Sequence, residues 1–272
     1  MRSLMDDLAD AVREQRAVLF AGAGLSMSVG LPSWKSLVGH MRAELGLKDT
    51  PGWEDASYQT LAEYYRIKMG SIGPLRSWMD RKWSVSEERV KGSVLHELIV
   101  DLDFPIIYTT NYDNNLEVAH RLHDRPFEKI ANVRDLAKAP GRDTQIIKFH
   151  GDFEDDESLV IAETDYFNRL TFESPLDVKF RADALARPIL FIGYSLSDLN
   201  IRLLLHRLWQ IWRDSGSEDH RPRSYVFMTR PSPVQEAVLN QWGISVLTGD
   251  GDDPQIELQT FLTALKEAVQ GK

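Results

Sequence analysis

The sequence predicts an α/β protein in which a parallel sheet is covered by helices on both faces. Short, mostly apolar runs recur along the 272-residue chain, and segments whose apolar residues repeat at helical spacing separate them. An apolar run of this kind is typical of a strand buried on both faces, as in parallel sheets. Such a sheet binds its ligands at the carboxyl ends of its strands.

The elements follow one another from the N-terminus. Leu4, Leu8 and Val12 repeat at helical spacing and lead into the apolar run Ala17–Ala21. Five further runs predict strands at Phe104–Thr110, Gln145–Phe149, Pro188–Gly193, Ser224–Thr229 and Ile244–Leu247. Helical patterns lie at Asn114–Arg121, Leu199–Trp212, Pro233–Trp242 and Ile256–Val269. We therefore expect one Rossmann-like sheet.

Two segments interrupt this alternation. Residues from about 35 to 102 carry helical patterns without a convincing strand, which predicts a helical insertion. Its helices are expected at Ser36–Leu45, Tyr58–Ile67, Pro74–Trp83 and Glu87–Ile99. Its aromatic residues, including Trp34, Tyr58 and Trp83, are interpreted as core, and an interface is the alternative. A smaller insertion spans about 154–187, and we expect a single domain over residues 1–272.

Composition excludes several classes of protein. The 41 acidic and 32 basic residues give a formal charge of −9, which argues against nucleic-acid binding across the whole surface. The chain has no cysteine, which rules out a cysteine-ligated zinc module. No apolar run approaches the ~20 residues that span a bilayer, and acidic residues interrupt any signal-peptide core. We expect a soluble, cytoplasmic protein that binds neither membranes nor nucleic acid directly.

Histidines do not predict a metal site either. His120 and His123 are three residues apart on a predicted helix, but the sequence suggests no third ligand nearby. Both are interpreted as surface residues. No metal is therefore expected.

The first strand runs into the glycine-containing turn Gly22–Ser26, which reads GAGLS. Such glycines let the backbone approach a diphosphate, and the helix that follows presents free N–H groups to it. Met27 replaces the third glycine of the dinucleotide fingerprint, which disfavours a hydride-transferring enzyme. A tight turn that needs glycine for positive φ is the alternative. On the diphosphate interpretation, Gly24→Val weakens ligand binding with little loss of stability.

Three further strands also end in polar residues. They read TTNYD at Thr109–Asp113, KFHGD at Lys148–Asp152 and GYSLSD at Gly193–Asp198. His150 can serve as a general base near neutral pH, and a structural histidine is the alternative. Asn111 or Asp113 could instead cap the helix that begins near Asn114, and Asp198 could cap the predicted helix Leu199–Trp212.

The ordered set of four strand ends resembles the Sir2 (sirtuin) superfamily of NAD-binding proteins. It is most similar to the bacterial Sir2-like branch found in antiphage defence, whose domain hydrolyses NAD. The resemblance spans roughly Val18–Ile201 and includes Gly30–Trp34 (GLPSW). It implies roles in NAD binding for the diphosphate residues Gly22, Ala23, Gly24 and Ser26, for Asp113 at the nicotinamide carboxamide, and for Gly193 and Ser195 near the adenosine ribose.

The resemblance also implies a reaction. Asn111 and His150 would position or activate the acceptor while the N-glycosidic bond of NAD breaks, and water would yield ADP-ribose and nicotinamide. Protein-deacylating relatives carry a four-cysteine zinc module, read Pro-Asp-Phe-Arg where this chain has LPSW, and have Gln at Thr110. These departures favour an NAD hydrolase.

Two other functions stay open. One is a regulatory module that binds NAD or ADP-ribose without turnover, and the other is a zinc-free deacylase or ADP-ribosyltransferase. Because uncontrolled NAD loss kills a cell, the enzyme is expected to stay inactive until assembly or a partner arranges its site. We therefore expect a homo-oligomer, with an associated ATPase as the partner that the resemblance suggests.

Overall fold

A computed structural model describes residues 3–47, 57–155, 158–194 and 199–271 of the protein. Within these residues, seven strands form one sheet in which every neighbouring pair is parallel. The strands are β1 (Val18–Ala21), β2 (Ile106–Thr109), β3 (Phe127–Ile130), β4 (Thr144–Lys148), β5 (Ile189–Ile192), β6 (Ser224–Thr229) and β7 (Ile244–Gly249). Their order is β3-β4-β2-β1-β5-β6-β7, so β1 lies at the centre. The predicted parallel sheet is confirmed.

The edge strand β3 is the strand of this sheet that the apolar runs do not predict. It reads Phe-Glu-Lys-Ile, and of its four residues Ile130 alone is buried. It pairs with β4 at the edge of the sheet. A half-exposed edge strand needs no continuous apolar run, so its sequence lacks the pattern of the central strands.

Fourteen α-helices accompany the sheet in the described part of the chain. They are α1 (Leu4–Arg13), α2 (Ala23–Met27), α3 (Trp34–Glu44), α4 (Tyr58–Met69), α5 (Gly73–Lys82), α6 (Glu87–Lys91), α7 (Val94–Leu102), α8 (Asn115–Leu122), α9 (Val133–Lys138), α10 (Glu163–Asn168), α11 (Pro175–Ala186), α12 (Leu199–Asp214), α13 (Pro233–Gln241) and α14 (Pro254–Gln270). None of these helices is both long enough and apolar enough to cross a membrane.

Helices cover both faces of the sheet, as predicted. On one face, α1, α7 and α14 pack around strand residues that include Leu19 and Ile107. On the other face, α11, α12 and α13 pack around Phe20 and Tyr108. Successive side chains of a strand point to opposite faces, which is why all four residues of β1 are buried.

Three of the helices between β1 and β2, namely α3, α4 and α5, form a third apolar cluster on the carboxyl edge of the sheet. This cluster also contains Tyr112 and Phe153, which come from the loops after β2 and β4. The segment Glu87–Ile99, predicted as one helix, forms the two helices α6 and α7. The break occurs because α6 ends at Gly92 and the side chain of Ser93 caps α7.

Candidate active site at the carboxyl edge of the sheet

The carboxyl ends of β1, β2, β4 and β5 meet at one edge of the sheet. The register pairs Ala21 with both Thr109 and Ile192, and it pairs Thr109 also with Lys148. Each of these four residues is the last of its strand. The four loops therefore leave the sheet at the same height, which brings the predicted polar strand ends together.

The turns after β1 and β5 pack directly against each other. The Gly22 N–H donates to Ile192 O at 2.9 Å, and the Gly24 N–H donates to Gly193 O at 2.9 Å. A Cβ atom on Gly24 would lie 2.8 Å from Gly193 Cα, and one on Gly22 would lie 2.5 Å from Gly193 O. Glycine is therefore required in the first turn because two backbones approach each other closely.

This contact corrects two expectations about the first turn. Gly22 has a φ of −105°, and Gly24 lies inside α2, so positive φ does not explain either glycine. The residue that does adopt the left-handed conformation is Gly193, with a φ of 58°. Because Gly24 faces the Gly193 backbone, a valine there would strain the fold, and the expectation of nearly unchanged stability is wrong.

Asn111, Ser26 and Asp113 form a hydrogen-bonded chain beside this turn. Asn111 Nδ2 donates to Gly22 O at 3.1 Å and to Ser26 Oγ at 2.9 Å. Ser26 Oγ in turn donates to Asp113 Oδ2 at 2.7 Å. The other carboxylate oxygen of Asp113 accepts the Asn115 N–H at 3.1 Å. Asp113 thus serves the first turn of α8, whereas Asn111 does not cap that helix and links the loops after β1 and β2.

His150 reaches the same site from the end of β4. The residue is buried, and its ring meets the ring of Tyr166 edge-on at a centroid distance of 5.5 Å. The next residue, Gly151, has a φ of 91°, and a Cβ atom there would lie 2.3 Å from Ser158 O. The turn that follows His150 therefore requires glycine, both for its backbone conformation and for space.

A cavity of about 220 Å³ opens beside these residues. Six residues predicted for the site line it: Ala23, Ser26, Asn111, Asp113, His150 and Gly193. Gly24 lines a second cavity of about 760 Å³, which shares Met27, Gly193 and Tyr194 with the first. Gly22 packs beneath, against Gly193 and Tyr194. The predicted residue Ser195 and the predicted cap Asp198 lie outside the described residues.

Aromatic residues form one wall of the smaller cavity. Trp34, Tyr58, Trp83 and Tyr112 all line it. The Trp34 ring lies parallel to the Tyr58 ring at 6.4 Å and edge-on to the Trp83 ring at 6.0 Å. Trp83 belongs to the apolar cluster, as predicted, but the sequence does not indicate that these rings face a site. The available signal is the position of Trp34 at the end of Gly30–Trp34, a segment that the resemblance includes.

Within the described residues, no group of three His, Cys, Asp or Glu side chains could hold a metal ion. His120 is buried, contrary to its interpretation as a surface residue. Its Nδ1–H donates to Leu116 O at 2.8 Å, and burial lowers its pKa. His120 is therefore a structural residue of α8.

A family model described as a SIR2-like domain matches residues 105–247, just over half of the 272-residue chain. The chain belongs to this SIR2-like family. The resemblance drawn from the four strand ends is thereby confirmed. The matched segment includes the loops that carry Asn111, His150 and Gly193, while the glycine turn after β1 precedes it.

Several relatives match most of the SIR2-like chain. It is 31% identical over 231 residues to the NAD(+) hydrolase ThsA of Enterococcus faecium, and the aligned residues cover 84% of this chain and 46% of that protein. It is 30% identical over 226 residues to the NAD(+) hydrolase ThsA of Bacillus cereus (strain MSX-D12), with 82% and 45% covered. It is 27% identical over 240 residues to Defense-associated sirtuin 2 of Bacillus subtilis, with 86% and 23% covered. The chain thus spans less than half the length of each relative.

Proposed function

We propose that the protein is an NAD glycohydrolase, which cleaves the nicotinamide N-glycosidic bond of NAD to give nicotinamide and ADP-ribose. The observation that carries the proposal is that Asn111 and His150, from two different strand ends, line one cavity. Two relatives at 30–31% identity are named NAD(+) hydrolases, which supports the same reaction. Water is the proposed acceptor, and no metal takes part.

We assign the two adjoining cavities to the two halves of the dinucleotide. We assign the nicotinamide to the smaller cavity, whose aromatic wall suits a planar ring. The adenosine is assigned to the larger cavity, which borders on Gly193. The diphosphate then crosses the turn between them. The N–H groups of Gly22 and Gly24 already donate to the carbonyls of Ile192, at the end of β5, and Gly193. The backbone at Ala23 is therefore the part of the turn assigned to the diphosphate.

The proposed reaction breaks the bond between ribose C1′ and the nicotinamide nitrogen. The bonding electron pair leaves with neutral nicotinamide, and the oxygen of a water molecule forms the new bond to C1′. His150 accepts a proton from this water. Asn111 has its Nδ2 engaged by Gly22 and Ser26, so its Oδ1 would accept a hydrogen bond from the water. Asp113 would bind the carboxamide N–H through the remaining lone pairs of its carboxylate.

Alanine variants test these assignments. His150→Ala and Asn111→Ala should each lower turnover by roughly 10²-fold or more, because each removes a positioned acid–base or polar group. The double variant should lose much less than the two effects combined, since groups that act as one unit are non-additive. Exposed His220 is the matched control, and His220→Ala should leave turnover unchanged.

Released nicotinamide, NAD affinity and melting temperature are measured on the same samples. NAD affinity should persist in the alanine variants, because the assigned diphosphate and adenosine contacts remain. A folded His150→Ala protein that hydrolyses NAD at the wild-type rate would refute the mechanism. Tight ADP-ribose binding without nicotinamide release, in every assembly state tested, would favour the non-catalytic binding module.

We further propose that the protein is a cytoplasmic antiphage effector that is activated by self-assembly or by a partner, for which an associated ATPase is the candidate. The name of one relative, Defense-associated sirtuin 2, supports the defence role. A product-resolved NAD assay across protein concentrations, with mass measured by light scattering, tests the assembly. Turnover per chain that rises with oligomer mass supports self-activation, and full activity in a dilute monomer contradicts it.

A further inference from the structure

A cluster of buried ionisable side chains lies beneath the candidate active site. Lys148, Glu117, Asp113 and His96 are all buried. Of the buried residues that the structure describes, Lys148 alone is a lysine or arginine. A buried charge costs several kcal/mol unless it is paired and hydrogen-bonded. We therefore ask which groups pair with Lys148 and accept its hydrogen bonds.

Lys148 contacts two different elements. Its Nζ donates a hydrogen bond to the main-chain oxygen of Asp113 and lies 3.4 Å from Glu117 Oε1 on α8. Lys148 is the last residue of β4 and is paired with Thr109, the last residue of β2. Because His150 follows two residues later, one side chain connects the end of β4, which leads to His150, with the loop that carries Asn111.

The hydrogen bond from Lys148 to the Asp113 carbonyl fixes the backbone of the loop that carries Asn111. The carboxylate of Asp113 accepts a hydrogen bond from the hydroxyl of Ser26, and that hydroxyl accepts one from Asn111 Nδ2. The carboxylate also accepts the N–H of Asn115. A displacement of the Asp113 backbone would therefore disturb the hydrogen bonds that orient the Asn111 amide.

The imidazole of this cluster adds no positive charge to it. Burial lowers the pKa of His96 to about 4, so this imidazole is neutral near pH 7, and its Nδ1 lies 2.8 Å from Ser93 Oγ. Burial raises the pKa of Glu117, and Lys148 opposes that rise. Lys148 is thus positioned between the Glu117 carboxylate and the Asp113 backbone.

We propose that Lys148 is a positioning residue for the reaction. Its hydrogen bond to the Asp113 carbonyl holds the loop containing Asn111 in the geometry that His150 requires, and Glu117 compensates its charge. This inference rests on the proposed function of the site, because the geometry matters only if Asn111 and His150 act on the same bond. Lys148 itself does not line the cavity described above, so its effect passes through the loop.

The test separates the hydrogen bond from the buried charges. Lys148→Met leaves Glu117 as an unpaired buried carboxylate, and this variant is expected to be unstable. The double variant Lys148→Met/Glu117→Leu removes both charges, which proteins tolerate far better, so its melting temperature should recover. Its turnover should stay roughly 10- to 100-fold below wild type, as expected for a displaced reacting group, with KM nearly unchanged.

Lys179→Met is the matched control. Lys179 pairs with Asp183 on α11 at 2.9 Å. The pair lines a cavity with Pro105 and Ile106, at the opposite end of β2 from the Asn111 loop, so the loss of Lys179 should leave turnover unchanged. A double variant that is both stable and as active as wild type overturns the positioning role, because Lys148 is then only structural. An equal loss of turnover in Lys179→Met overturns it as well, since the effect would not be specific to the site.

Hydrogen–deuterium exchange distinguishes failure of this inference from failure of the proposed function. Wild-type protein that releases no nicotinamide in any assembly state refutes the NAD hydrolase, but it leaves the loop measurable. The N–H of Asn111 donates to Thr109 Oγ1 and that of Asn115 donates to Asp113 Oδ1. Exchange of these two amides should accelerate at least about tenfold in the double variant while β1 is unchanged. Unchanged exchange at both amides overturns the inference.

Discussion

A single methyl group added at Gly24 tests whether backbone packing shapes the glycine turn. The Cβ atom of Gly24→Ala would lie 2.8 Å from Gly193 Cα and 3.0 Å from Gly193 O, whereas carbon atoms pack best at about 3.5–4.0 Å. Both neighbours are backbone atoms, so no side-chain rotation relieves the overlap. Overpacking of this kind costs about 1–3 kcal/mol.

A second contribution opposes this cost. Alanine is favoured over glycine inside a helix by about 0.5–1 kcal/mol, and Gly24 lies in α2. The expected net effect on the free energy of unfolding is therefore a loss of about 1 kcal/mol, and of about 2.5 kcal/mol at most. Gly39→Ala in α3 is the control, because a Cβ atom there meets nothing within 4 Å. That variant should gain about 0.5–1 kcal/mol.

Urea unfolding of the two variants and the wild type measures both effects, and calorimetry with NAD measures the affinity of each folded protein. Gly24→Ala should lose stability and bind NAD more weakly, because α2 must move away from Gly193. The reasoning fails if Gly24→Ala is as stable as Gly39→Ala. A loss of NAD affinity alone would then mean that Gly24 is needed for the ligand and not for the fold.

Three further outcomes are expected. Chelators should leave NAD hydrolysis unchanged, since the described residues contain no metal-holding group; restoration of a chelated enzyme by one added metal would contradict this. Tyr108→Phe removes the 2.7 Å hydrogen bond from the Tyr108 hydroxyl to Asp183 Oδ2 and should lower the free energy of unfolding by about 1–2 kcal/mol in urea titrations, with turnover unaffected. Because burial lowers the pKa of His96 to about 4 from 6.5, the unfolded chain binds this proton first on acidification. Stability should fall by about 3 kcal/mol between pH 6.5 and 4, and His96→Phe should remove that part of the pH dependence.

The fold class could be predicted because its signals are local. The apolar runs of β1, β2 and β5 are buried on both faces, and the helical spacing around them is set by the same periodicity that packs helices on a sheet. The polar strand ends could also be predicted to converge, since the carboxyl ends of parallel strands share one edge. Asn111, His150 and Gly193 therefore came from the sequence as candidate site residues, and all three line the observed cavity.

Other features required the tertiary structure because they depend on contacts between residues far apart in the chain. The edge strand β3 is recognised only through its pairing with β4. Position 24 requires glycine because the backbone of Gly193, 169 residues later in the sequence, leaves no room for a Cβ atom. The role of Asn111 as a link to the first turn, and not as a helix cap, was likewise undecided until both loops were placed.

The sequence by itself determined the parallel α/β architecture, the four polar strand ends and the absence of cysteine chemistry, because these follow from residue type and from periodicity along the chain. Only the tertiary structure decided which polar groups meet. It placed Lys148, the first residue of a polar strand end, on the carbonyl of Asp113, and it turned Trp34 and Tyr58 toward the cavity. Side-chain partners across loops depend on the packing of the whole sheet and insertion, and no local pattern encodes that packing.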